Sequence, residues 1–213
     1  AMRLSGVRRV VHISTEETYG DFLAPVIDEE HPQKPTSVYG LTKLATEHYG
    51  RVYSRDHGLE CVNVRTCWVY GPHLPRLRMP RTFIEAALRG EAFHQADGAM
   101  LAVDQVYIDD TVQGVLLALD KAHHRYEAYN IATGAAPTLR DTADAVNRAI
   151  PGAKITVGDS GPYRHGGVVL SAVKGALDIS RAREELGYQP RFDLQKGIEA
   201  TIAATKAAMA GSH

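Results

Sequence analysis

At 213 residues the chain is long enough for one domain, or for one domain with a small lobe. Its 24 Lys and Arg against 25 Asp and Glu give a formal net charge of −1, which disfavours nucleic-acid binding. No apolar run approaches the ~18–20 residues of a membrane span, no signal-peptide pattern opens the chain, and Cys61 and Cys67 lack metal-ligand spacing, so a reduced, soluble, cytoplasmic protein without metal is expected.

The run from Val7 to Ile13 is apolar and rich in β-branched residues, and predicts a buried strand ending at Ser14 and Thr15. Pro25, Pro32 and Pro35 mark residues 20–38 as loop. From Ser37 to about His57, apolar positions recur at helical spacing, and Gly58 closes that helix. A second strand follows over 60–65, then a helix near 81–89 stopped by Gly90, and an apolar helix over 112–119 that Asp109 or Asp110 caps. Tyr126 to Ile131 reads as a third strand, and Thr138 caps a helix over 139–149. A mobile glycine-rich loop at 158–167 precedes two further helices, 180–186 and 194–209.

Strands alternating with helices predict an α/β fold with a largely parallel sheet. The first strand is of the buried type with nothing before it to cover its edge, so upstream strands are expected to be missing or supplied by another chain.

Tyr39 and Lys43, four apart on a helix, share one face. A neighbouring ammonium favours the phenolate, which makes a tyrosine a usable proton acceptor. The motif is short and arises by chance, but its setting adds weight. Thr15, Glu16 and Glu17 follow the first strand at its carboxyl end, where open α/β sheets bind ligands. A hydroxyl there can hold a substrate oxygen, and paired carboxylates can divide acid and base roles. A solvated loop is the bland alternative. His123 and His124 read as a helix end, and the two cysteines as ordinary buried thiols.

These pieces, with Ser37-Val38-Tyr39-Gly40, Val69-Tyr70-Gly71-Pro72, Val106-Tyr107-Ile108-Asp109-Asp110 and Glu185-Leu186-Gly187-Tyr188, resemble the extended short-chain dehydrogenase/reductases, and among them the NAD-dependent epimerase/dehydratase family. The resemblance implies a partial doubly wound, Rossmann-like parallel sheet with a small α/β substrate lobe. Residues 1–72 plus 106–149 would form the NAD(P)-binding part, and 73–105 plus 150–213 the lobe and C-terminal helices. It also implies Thr15, Tyr39 and Lys43 as the catalytic core, with Tyr39, Lys43 and Ser14 toward NAD or NADP. Glu16 and Glu17 are similar to the acid and base of nucleotide-sugar dehydratases, although Glu16 is longer than the family aspartate. Trp68 and Arg164 would meet a sugar-type substrate, and the Tyr39/Lys43 helix would form a homodimer interface.

Three departures accompany the resemblance. No Gly-x-x-Gly-x-x-Gly loop is present, so the chain alone is expected to bind NAD weakly and to be inactive. Trp68 stands where relatives usually carry asparagine, and Val103 where they carry arginine, which weakens a diphosphate clamp and leaves room for a substrate without a nucleotide. Sugar epimerisation or dehydration by transient hydride transfer is the leading expectation. A plain dehydrogenase or reductase and a non-catalytic scaffold are its rivals.

Overall fold

The computed structural model describes residues 2–165, 168–170 and 172–210. Three parallel strands form its largest sheet, in the order β1 (Arg9–Thr15), β3 (Glu60–Thr66), β7 (Ala128–Ile131). The β-branched residues of β1 and β3 run side by side, and the register sets Ser14 opposite Arg65 and Thr15 opposite Thr66. Both strands therefore end at one level.

Helix α1 (Val38–His57) returns the chain from the end of β1 to the start of β3. The Ser37 hydroxyl accepts from the Gly40 amide at 3.0 Å and caps its first turn, and Gly58, left-handed at φ 66°, closes it. Gly40 also lets the helix approach closely, because a Cβ there would lie 2.4 Å from the Glu17 carbonyl oxygen. That contact seats Tyr39 beside the turn after β1.

The expected loop at 20–38 contains a two-residue strand, β2 (Val26–Ile27), which pairs in parallel with β11 (Ala176–Leu177). Strands β4 (Trp68–Tyr70) and β6 (Gln105–Tyr107) pair in parallel, as do β5 (Ala92–Gln95) and β8 (Lys154–Val157). Helix α2 spans Arg81–Leu88, and α3 (Ile108–Asp120) begins directly from β6. Asp109 and Asp110 therefore fall inside its first turn, and neither caps it, contrary to the sequence expectation. The fully buried Asp110 carboxylate instead accepts from the amides of Arg191 and Phe192 at 3.0 Å. Helix α4 (Leu139–Ala149) carries the expected capping box between Thr138 and Asp141. Within the glycine-rich stretch, β9 (Arg164–His165) pairs with β10 (Val168–Val169), while Gly166 and Gly167 lie outside the described residues. Helices α5 (Ser180–Leu186) and α6 (Leu194–Ala210) complete the chain as expected.

Two apolar clusters hold these elements. Val62, Val64, Tyr129 and Ile131 of the sheet pack with Tyr19, Ala118, Ile179 and Tyr188. Phe83, Ile84, Leu139, Val146, Ile155 and Ile198 form the second, so α4 packs with α2, β8 and α6, and residues 176–188 pack with the sheet. Among the described residues no helix is long and apolar enough to cross a membrane.

Candidate active site

A cleft of about 830 Å³ opens at the carboxyl ends of β1 and β3. Ser14 to Glu17, Ser37, Tyr39, Thr66 to Pro75, Arg76 and Arg78 line it. Parallel strands end here and their side chains diverge, which is where α/β sheets hold ligands.

Thr15 is buried and starts the 3-10 turn Glu16–Thr18, its hydroxyl oxygen accepting from the Glu17 amide at 3.3 Å. Its own proton remains available to a ligand. Tyr39 is 51% exposed on the first turn of α1. Lys43, one turn on, donates to the Ile13 carbonyl at 2.8 Å, and its ammonium lies 5.7 Å from the Tyr39 ring centre. Among the described residues this is the one hydrogen bond of its ammonium, which has three N–H donors. Ser14 turns its hydroxyl inward and donates to the buried Glu47 carboxylate at 2.5 Å.

The two glutamates sit in different environments. Glu16 is buried with neither carboxyl oxygen bonded, and burial pushes its pKa up to about 8, with Lys174 opposing and Glu17 adding. Glu17 accepts from the Ser37 hydroxyl at 3.1 Å and lies 3.3 Å from the Lys174 ammonium. The Lys174 side chain is fully buried and also donates to the Gly20 carbonyl at 3.3 Å. One carboxyl is thus kept neutral and the other ion-paired.

This asymmetry predicts a pH signature. The folded pKa of Glu16 exceeds its ordinary value of 4.5, so the native state keeps a proton that the unfolded chain releases. Its contribution is whole below pH 4.5 and is lost as pH rises toward 8. Glu16→Gln removes that loss, and thermal unfolding across this pH range should show the variant gaining on the native protein until the difference levels off. Parallel pH profiles for the two would refute it.

Trp68 lines the cleft, with the Arg78 guanidinium 5.1 Å from its ring centre and Tyr163 6.0 Å away. Arg164 is not among the cleft residues: it lies exposed on β9, 3.7 Å from Asp97, and its carbonyl accepts from Gln95. Val103 is wholly buried, while Asp104 beside it accepts from the Thr133, Gly134 and Leu177 amides. Cys67 is buried against Asp104, with its thiol at 3.5 Å, and burial raises its pKa well above the ordinary value. Cys61 is only half-buried. His124 bonds Tyr129 and the Ala118 carbonyl at the end of α3, as a structural residue. Sequence reading missed Lys174, Arg76 and Arg78. A lone lysine in a loop carries no signal, whereas the Arg-x-Arg alternation between prolines was visible but unassigned.

The model of the NAD dependent epimerase/dehydratase family matches residues 1–132. The chain belongs to this family. It is 32% identical over 206 residues to a UDP-glucose 4-epimerase of Mycolicibacterium smegmatis, covering 95% of this chain and 64% of that protein. It is 31% identical over 197 residues to a dTDP-glucose 4,6-dehydratase of Streptomyces antibioticus, covering 92% and 57%. The crystal structure of a Thermotoga maritima UDP-glucose 4-epimerase with UDP-glucose superposes with a TM-score of 0.83 at 28% identity, covering 98% and 66%. The chain thus spans under two thirds of the length of these curated relatives. Its α/β architecture with parallel sheets is that of the Rossmann-type members of the family, which are enzymes acting with NAD.

Proposed function

We propose that this chain carries the reacting-centre part of an NAD(P)-dependent sugar-nucleotide epimerase or dehydratase. The observation that supports it most is the convergence of Thr15, Tyr39, a neutral Glu16 and an ion-paired Glu17 on one cleft. NAD, when bound, supplies the acceptor for the hydrogen removed with its electron pair from the sugar carbon. The remaining donors of Lys43 suit a ribose diol, so Lys43 and Tyr39 would hold the cofactor on this side. Thr15 binds the sugar oxygen while Tyr39 takes the hydroxyl proton. The resulting ketone acidifies the adjacent C–H. Glu17 then accepts that proton and Glu16 gives its own to a leaving hydroxyl, which departs as water; return of the hydrogen with its electron pair to the carbon that lost the hydroxyl, and of the proton from Glu17 to the carbon beside the ketone, would complete the 4-keto-6-deoxy sugar. Where the hydroxyl is retained, return of the hydrogen with its electron pair to the opposite face of the ketone carbon, and of the proton from Tyr39 to its oxygen, would give the epimer.

Residues 1–72 plus 106–149 would form the NAD(P)-binding part and 73–105 plus 150–213 the substrate lobe, although the packing of 139–149 with the second cluster and of 176–188 with the sheet favours exchanging those two segments. A homodimer would form on the outward face of α1, where Leu41, Tyr49 and Tyr53 are exposed.

The test is product and cofactor balance. With NAD and UDP-glucose or dTDP-glucose, NMR should show an epimer or a 4-keto-6-deoxy sugar with no net NADH. Steady NADH accumulation would move the reading to a plain dehydrogenase. Absence of both products and NADH in a preparation shown to hold NAD would move it to a binding scaffold.

A further inference from the structure

Lys174 reaches the reacting turn from behind. It is not among the cleft residues, its side chain is fully buried, and the one carboxylate it pairs with among the described residues is Glu17, at 3.3 Å. The Gly20 carbonyl accepts from the same ammonium at 3.3 Å, and the Phe22 ring centre lies 5.3 Å from it. The two oxygens of Glu17 are thus held by different parts of the chain, one by Lys174 and the other by the Ser37 hydroxyl that caps α1. Each keeps a further lone pair for a proton.

The segment that carries Lys174 is stitched down along residues 21–27. The Val173 amide donates to the Asp21 carboxylate at 2.9 Å, and the Val173 carbonyl accepts from the Phe22 amide at 2.9 Å. The Ala176 and Asp178 amides donate to the Pro25 and Ile27 carbonyls at 2.9 and 2.7 Å. Gly175 permits this approach, because a Cβ there would lie 2.3 Å from the Pro25 carbonyl oxygen. The lysine is therefore placed by backbone contacts on both sides of it.

Glu16 and Glu17 share this one ammonium. Two carboxyls in a buried site cannot both ionise without compensating charge, whereas a single cation balances one of them. Around Glu16, Glu17 and Asp104 favour the protonated form, while Lys174 and Arg78 oppose it. We propose that Lys174 is a positioning residue of the reacting centre: carried in by the 172–178 segment, it selects Glu17 as the carboxylate of the pair and leaves Glu16 as the acid. Its effect on turnover rests on the catalytic reading above, in which Glu17 is the base; the ion pair and its titration belong to the chain alone. When the proton beside the ketone passes to Glu17, the electron pair of that C–H bond stays in the substrate as the enolate. Lys174 keeps the accepting group charged until then.

The first readout needs neither NAD nor substrate. In protein labelled with ¹³C at the glutamate carboxyls, Glu16→Gln and Glu17→Gln identify the two signals, and the upper midpoint of the coupled pair is expected at about 8. Lys174→Met should raise that midpoint, because the opposing ammonium is gone, and Lys174→Arg should bring it back toward the native value. A lysine that only fastens 172–178 in place leaves the midpoint where it is, and that result would overturn the inference. Should Lys174→Met fail to fold, Lys174→Gln, which keeps a donor beside Glu17 without the charge, carries the same test. The second readout is exchange in D₂O by the NAD-loaded enzyme with dTDP-glucose. Lys174→Met should slow entry of deuterium at the carbon beside the ketone by about 10²-fold or more, with KM little changed and NADH still formed in a single turnover. Equal slowing of both steps, or of neither, would overturn the role. A raised midpoint in a protein whose native form gives neither product nor NADH would remove the catalytic reading and keep the pair. An unmoved midpoint in an active dehydratase would do the reverse.

Discussion

Tyr39→Phe is expected to lower kcat of the NAD-loaded enzyme by about 10²- to 10⁴-fold, the range for loss of a positioned general acid or base. The variant removes one oxygen from a half-exposed ring, so packing and stability should be unchanged. Lys43 keeps its bond to the Ile13 carbonyl, because that contact does not involve the phenol. Substrate affinity should therefore change little and the loss should fall on kcat, the pattern of a group acting in the transition state. Steady-state kinetics beside a binding titration separate the two quantities. A kcat within a few-fold of native would remove Tyr39 from the chemistry and favour the scaffold reading.

What could be read from the sequence follows how local each interaction is. Strands β1 and β3 and helix α1 were legible because β-branched runs, the Ser37 cap and the Gly58 stop act over a few residues. Strands such as β2 and β11 were not: each has two residues, and their pairing joins distant parts of the chain. Asp110 misled for the same reason. It stands where a capping residue would, yet its carboxylate serves amides at Arg191 and Phe192. In the site, residue types at 15–17, 39 and 43 pointed to proton transfer. The division of labour between Glu16 and Glu17 did not show, because it depends on burial and on Lys174 arriving from the far end of the chain.

Beneath the site lies the pair that holds it in place, and breaking it should have the largest effect on stability. Glu47 is wholly buried on α1, and Arg65 of β3 meets it through two bonds of 3.1 and 2.7 Å. Ser14 and Gln33 donate to the same carboxylate, while Arg65 also reaches the Tyr19 hydroxyl at 3.1 Å. Burial alone would raise the pKa of Glu47, but the Arg65, Ser14 and Gln33 bonds outweigh it and hold it below the ordinary value. A carboxyl with a depressed folded pKa adds stability above its unfolded value, which is lost as pH falls through the folded one. Glu47→Ala leaves the Arg65 guanidinium buried and unpaired, and is expected to cost about 3–5 kcal/mol in denaturant unfolding. Joint replacement, Glu47→Leu with Arg65→Met, should recover much of that cost, because two apolar groups of similar volume leave no orphan charge. The same double variant frees Ser14 and loosens α1 against β1, so stability should return further than activity does. A loss below about 1 kcal/mol for Glu47→Ala, the scale of a surface ion pair, would refute this account of how Tyr39 and Thr15 are held together.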